Sequence, residues 1–249
     1  MSHIHLPDGI LPPWLWLSGY LLTALLVIVL SRGGRVTAEP RRFALLGVFS
    51  AMMVLVMMLE IPPFSSHFNL SVMTGIVIGP QLAVLAALIV NLILALVGHG
   101  GLTVVGLNTL VLSTEMLAGY YAFRLLARRS RPTMVAAFVA TFVGLAAGTA
   151  ASYGLIAAGS PWIDEMMRSA RMSPGERLAL SVSGAHLDLA RLALIMFGAG
   201  AIGWLLEGTL SSAVLVYLGK AFPGLVGEPR QRQWTCTAST TSQCRDEAG

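Results

Sequence analysis

The sequence predicts an all-α integral membrane protein of about seven transmembrane helices, with an extracytoplasmic amino terminus and a cytoplasmic carboxyl terminus. Three observations carry that prediction. Hydrophobic residues fill 55% of the 249 positions and the mean hydropathy is +0.75, values suited to a bilayer and not to an ordinary soluble domain. Charged residues amount to only 11%, and the arginines behind the net charge of +4 gather between apolar runs, as in cytoplasmic loops rather than on a nucleic-acid face. The arginine-rich stretches after the first span and after the Leu102–Leu126 run set the sidedness by the positive-inside tendency.

The opening MSHIHLPDGILPP has prolines and an aspartate where a secretory leader would carry a basic stretch followed by an apolar core, so it is expected to stay attached. The first span runs from Trp14 to Leu30, with Trp14, Trp16 and Tyr20 toward the headgroup layer. The loop after it carries Arg32, Arg35, Arg41 and Arg42 against Glu39 and belongs in the cytoplasm; Phe43 to Leu59 then returns outward. Next comes EIPPFSSHFN, in which Pro62 and Pro63 stop the helix and Ser65, Ser66 and Asn69 supply turn chemistry around His67.

Leu70 to Val97 is broken only by Gly79-Pro80, Gln81 and Asn91. As a single span it would make the Leu102–Leu126 run deliver Arg124, Arg128, Arg129 and Arg131 to the outer face. Two spans folded at Gly79-Pro80 return those arginines to the cytoplasm and leave the GHGG loop outside. The first arm is then short of the ~17–25 residues of a usual span and needs shielding by neighbouring helices. Thr133 to Ala158 goes out, GSPWIDEMMRSARMSPGER forms an interfacial extracytoplasmic connection, and Leu187 to Leu218 comes back, interrupted by Asp188, Arg191 and Glu207. Residues 1–227 form one transmembrane unit, of which 1–13 is a metal-chelating segment. Residues 228–249 are a polar cytoplasmic tail, disordered by composition, that holds both cysteines, Cys236 and Cys244.

On this topology His3, His5, His67 and His99 share the outer side, where neutral imidazoles suit zinc, copper, nickel and cobalt. A terminal amine, adjacent amide nitrogens and the His3 imidazole would form fused chelate rings. With Met1 retained they give four nitrogens. With Met1 trimmed before Ser2 they give three, and His67 takes the remaining corner. Pro7-Asp8-Gly9 sets the exit direction of this segment, and Asp8 is placed to orient an imidazole; an ordinary surface turn is the plain alternative.

HLPDGIL, SSH at Ser65 to His67, GHGGLTVVGLNTL at Gly98 to Leu110 and EGTLSSAVLVYL at Glu207 to Leu218 occur in this order across nearly the whole chain except the tail. The chain thereby resembles the substrate-binding membrane subunits of energy-coupling-factor nickel and cobalt importers. The resemblance implies a multi-pass protein of the bacterial plasma membrane that binds Ni2+ or Co2+ as transported substrate at its outer face, with partners that are an energy-coupling transmembrane subunit and two ABC ATPases. Membrane lipid surrounds it, and the need for a small accessory membrane subunit stays open.

In the family the terminal amine, the amide and imidazole of the second residue and a loop histidine bind the metal. His67 matches the loop histidine. Counted from Pro7-Asp8-Gly9 the other imidazole is that of His5, and counted from a trimmed amine it is that of His3, so Met1, Ser2, His3, His5 and His67 are all candidate ligand residues. Asp8, Ser66, His99 and Asn108 are expected to support them, and Gly47 with Ala51 forms a small-residue face that the resemblance assigns to the coupling partner, internal packing being the alternative.

No GxxxxGK[ST] loop is present, so this chain carries no ATP site of that kind and is expected not to be an enzyme. The competing functions are a membrane zinc metalloenzyme, for which a His-Glu-x-x-His motif is missing, and a vitamin-binding subunit of the same architecture. Glu115, Asp188, Arg191 and Glu207 lie in or near spans without an assigned role, where ionisable groups are costly.

Overall fold

The computed structural model describes residues 6, 8–32, 40–59, 67–127, 133–168 and 187–222. Among them the regular structure is all helix, with seven helices: α1 (Pro13–Ser31), α2 (Pro40–Met57), α3 (Ser71–Ile78), α4 (Pro80–Leu96), α5 (Val105–Ala127), α6 (Thr133–Arg168) and α7 (Leu189–Ala221). Three stretches, Pro13–Leu30, Thr133–Met166 and Leu189–Ala221, are long and apolar enough to cross a membrane unaided, and Pro80–Leu96 is a shorter apolar helix. Large apolar side chains such as Leu21 (72% exposed) and Leu194 (74% exposed) point away from the protein, as lipid contact requires.

The break between α3 and α4 falls at Gly79-Pro80, as the charge alternation predicts. Gly79 takes φ +84°, a conformation that glycine adopts without penalty, and Pro80 occupies the first turn of α4, where its missing N–H is not needed. The short arm α3 is shielded by its neighbours: seven of its eight residues are buried, and it packs against α2, α4, α5, α6 and α7.

Helix α5 is the axis of the bundle, in contact with α1, α3, α4 and α6. Its polar residues Asn108, Thr109, Ser113 and Glu115 are all buried among these neighbours. Glycines let the backbones approach. A Cβ on Gly106 would sit 2.6 Å from the Tyr20 nitrogen of α1, and the hydroxyl of Thr23 donates to the Gly106 carbonyl at 2.8 Å across that crossing. On α6, Gly144 and Gly148 stack one turn apart against Glu115 and Val72, a small-xxx-small face like those that bring membrane helices together. Gly47 and Ala51 of α2, by contrast, face outward, with nothing within 4 Å of a Cβ at Gly47, so this pair is not packed inside the chain.

One expectation is corrected. The segment after Ala158 is not a connection at its start: α6 continues through Gly159-Ser160-Pro161 to Arg168. Proline normally breaks a helix because it lacks the N–H that would reach the carbonyl four residues back. Here the Ser160 hydroxyl donates to that same carbonyl, Ala157 O, at 2.8 Å, so the freed acceptor is satisfied and the helix survives. The 36-residue helix is then about 54 Å long at ~1.5 Å per residue, well beyond a hydrocarbon core of ~30 Å. Its last turns meet the start of α7, where Asp164 accepts the Leu187 N–H at 2.7 Å and Asp188 caps α7 by accepting the Arg191 N–H at 3.0 Å.

Candidate metal site

Two segments meet beside the loop that joins α4 to α5. The first is the amino-terminal segment. Leu6 is paired in the manner of an extended strand: its N–H donates to Asn108 Oδ1 at 3.0 Å, and its carbonyl accepts from Asn108 Nδ2 at 3.2 Å. Two residues on, the Asp8 carboxylate accepts from the Leu102 N–H at 2.9 Å, the Thr103 N–H at 2.8 Å and the Thr103 hydroxyl. Partial burial pushes the Asp8 carboxyl up, but these donors outweigh it and hold it below its ordinary value of 3.8. Gly101 has to be glycine, because a Cβ there would overlap the Asp8 side chain. Tyr20 of α1 completes the anchorage by donating from its hydroxyl to the Leu102 carbonyl.

The second segment is His67 to Leu70, leading into α3. The His67 ring stands edge-on to that of His99, with centroids 5.4 Å apart. His99 belongs to the same loop that Asp8 grips, and its N–H donates to the Leu94 carbonyl at 2.8 Å as α4 ends. Just beyond His67, Leu70 adopts φ +52°, ψ +21°, the left-handed region, which costs a branched aliphatic residue on the order of 1 kcal/mol. That conformation is held from beneath. Glu207 Oε1 accepts the N–H groups of Asn69 and Leu70 at 3.4 and 2.9 Å, Glu115 Oε2 accepts from Asn69 Nδ2 at 2.7 Å and from the Ser71 hydroxyl at 2.9 Å, and Asn69 Oδ1 accepts the Ser71 N–H at 2.9 Å. Both carboxylates are fully buried.

Of the residues singled out in the sequence, the structure therefore brings His67 and His99 together and ties Asp8 and Asn108 to the segment and loop around them. Met1, Ser2, His3, His5 and Ser66 lie outside the described residues, as does the tail with Cys236 and Cys244. Among the described residues no group of three histidine, cysteine or acidic side chains gathers to hold a cation. A pair of imidazoles can supply two nitrogen ligands to a borderline cation, and further donors would have to come from elsewhere in the chain.

Residues 5–225 match the model of the family described as the cobalt uptake substrate-specific transmembrane region. The chain belongs to this family. Its members and relatives include a protein of Haloquadratum walsbyi that carries the name of a metal transport protein, 31% identical over 229 residues that cover 90% of this chain and 93% of the relative. A protein of Archaeoglobus fulgidus named as a fused nickel transport protein is 28% identical, covering 90% of this chain and 68% of the relative. The cobalt transport protein of Chlorobium limicola is 30% identical over 57% of this chain and 58% of its own. A crystal structure of a truncated transition metal transporter superposes with a TM-score of 0.70 at 17% identity, covering 88% of this chain and 99% of that one, and thus shares its fold. The cobalt-uptake family is one of membrane components for cobalt and nickel, so this chain is a membrane component of transition-metal uptake.

Sequence reasoning missed the part played by Asn69, Ser71, Glu115 and Glu207. A signal for them existed in the cost of placing two glutamates within apolar runs, together with an asparagine two residues before α3. Their meeting across three helices had no signal along the chain.

Proposed function

We propose that the protein is the substrate-specific subunit of an energy-coupling-factor importer, capturing Ni2+ or Co2+ at the outer face of the bacterial plasma membrane. In this reading the cation is held by His67 and by nitrogen from the amino-terminal segment, with the imidazole of His3 or His5. Asp8 and Asn108 carry that segment to the site, and His99 flanks His67. The observation that supports this most is the convergence on one loop: His99 touches His67, and three residues further on Leu102 and Thr103 bind Asp8. In this reading the residues before Leu6 supply the remaining nitrogen donors.

Energy would come from a coupling membrane subunit and two ATPases. The outward face of Gly47 and Ala51, open to close helix approach, is the surface offered to the coupling subunit. Relatives named for nickel transport and for cobalt transport favour this reading over a membrane hydrolase and leave both metals as substrates.

The test is titration of the purified protein in nanodiscs with Ni2+ and with Co2+. His67→Ala is expected to weaken binding by at least ~100-fold, since it removes a direct ligand, and wild-type affinity in that variant would defeat the assignment. An added amino-terminal extension separates two chelates. Loss of binding implicates the terminal amine, and retention leaves the histidines and internal amides as the donors.

A further inference from the structure

Two glutamates in the middle of an apolar bundle require a reason, because each brings a costly polar group into a region that apolar residues would fill more cheaply. Glu115 lies in the middle of α5 and Glu207 in the middle of α7, both with no exposure. Both carboxylates reach one three-residue turn, Asn69 to Ser71. Five hydrogen bonds converge there, four of them accepted by the two carboxylates and one closing the turn on itself.

That turn contains Leu70, which among the described residues is the one non-glycine residue with positive φ. A backbone in this region persists when its surroundings over-determine it, and such residues cluster where a fold must aim something. His67 stands two residues before Asn69, at the head of the turn. The α6 backbone is flush against the support: a Cβ at Gly148 would overlap the Glu115 side chain, so the carboxylate is held on its far side by helix backbone and cannot swing away.

We propose that Glu115 and Glu207 are positioning residues for His67, acting through the Asn69–Ser71 turn to set the direction in which the imidazole, just ahead of α3, meets His99. They act as a rigid base under the histidine and not as ligands. A flexible loop would present His67 in many orientations, most of them unable to share a cation. The base removes that freedom in advance, so the ordering cost is met in folding and not at each capture of metal. This inference rests on the reading of His67 as a metal ligand for its consequence in binding, but its structural content can be tested without metal.

The experiment compares Glu207→Met, which removes the acceptor at similar volume, with Glu207→Gln, which keeps a carbonyl oxygen in place, in full-length protein in lipid nanodiscs. Ni2+ and Co2+ affinities are measured together with the ligand-field absorption of bound Co2+, which reports the geometry of its donors. The metal-free protein, labelled at histidine, is examined by NMR for the His67–His99 ring contact. Glu207→Met is expected to weaken both metals by roughly 10–100-fold, alter the Co2+ spectrum and abolish the ring contact, while Glu207→Gln stays within a few-fold of wild type.

A Glu207→Met protein that melts earlier but keeps the affinity, the spectrum and the ring contact has lost only packing, and the proposal is then overturned. Should that variant fail to fold, Ser71→Ala removes one bond to Glu115 and is expected to lower affinity by roughly 3–10-fold with a weakened ring contact. No change in either measure would overturn it equally. If His67→Ala itself leaves affinity untouched, the metal reading fails, and the ring contact in Glu207→Met still decides whether the glutamates aim His67.

Discussion

The two segments that contact the loop between α4 and α5 are fastened differently. The amino-terminal segment has a fastening of each kind: buried Asn108 matches the backbone of buried Leu6, and the exposed Asp8 carboxylate takes three donors from the loop at 102–103. The His67 segment is held from inside, by carboxylates that no water reaches. An exposed fastening competes with solvent and each bond nets about 0.5–1.5 kcal/mol, whereas breaking a buried one leaves a desolvated group behind and costs more. The contrast implies that the Asp8 fastening yields before the one at Asn108 and before the base under His67.

The sharpest break in that contrast is at Gly148. Gly148→Ala drives a methyl into the Glu115 side chain and is expected to destabilise the protein by about 1–3 kcal/mol, with a lower Tm in nanodiscs. Gly154→Ala on the same helix meets nothing within 4 Å and is expected to be neutral or to stabilise by up to about 1 kcal/mol. Equal effects at the two positions would dissolve the distinction between a buried base and ordinary helix packing.

An effect of similar size but more local is expected where Asn108 fastens the terminal segment. Asn108→Ala removes both bonds to Leu6 and leaves that residue's backbone groups without the partner they have here, a loss of about 1–3 kcal/mol felt by the terminal segment rather than by the bundle. Hydrogen exchange at Leu6 should quicken while exchange in the α5 core stays slow. Quickening of both would mean that segment and bundle open together.

The smallest effect is a pH dependence at Asp8. Its carboxyl titrates lower in the folded protein than in the unfolded chain, so its contribution is fully present above the ordinary carboxylate value near 3.8 and is lost as pH falls through the lower folded value. Amide protection at Leu102 and Thr103 should therefore be flat with respect to this group from neutral pH to about pH 5 and drop below about pH 4. Asp8→Asn should remove that drop. Its persistence would assign the transition to another acid.

Much of this was legible along the chain because the signals are local. Gly79-Pro80 breaks a helix by backbone chemistry wherever it stands, and charge alternation alone required a break there. The match of HLPDGIL, SSH and GHGG to a metal-uptake family pointed at one end of the protein, and His67 and His99 do meet there. Where reading stopped at a local rule it failed. Pro161 marks a helix end in isolation, but Ser160 restores the missing bond and α6 continues. Gly144 and Gly148 close an internal helix contact against Glu115 and Val72, partners that no local mark in the sequence names.

What the sequence determined by itself was therefore composition, periodicity and punctuation: a membrane-class helical chain, where its helices break, and which histidines are candidates for a common site. Only the tertiary structure decided what the buried glutamates do, because Glu115 and Glu207 stand 46 and 138 residues from Asn69 and meet it through the packing of three helices. Hydropathy along a chain registers the cost of placing a carboxylate in an apolar run. Which donors offset that cost is a property of neighbours in space.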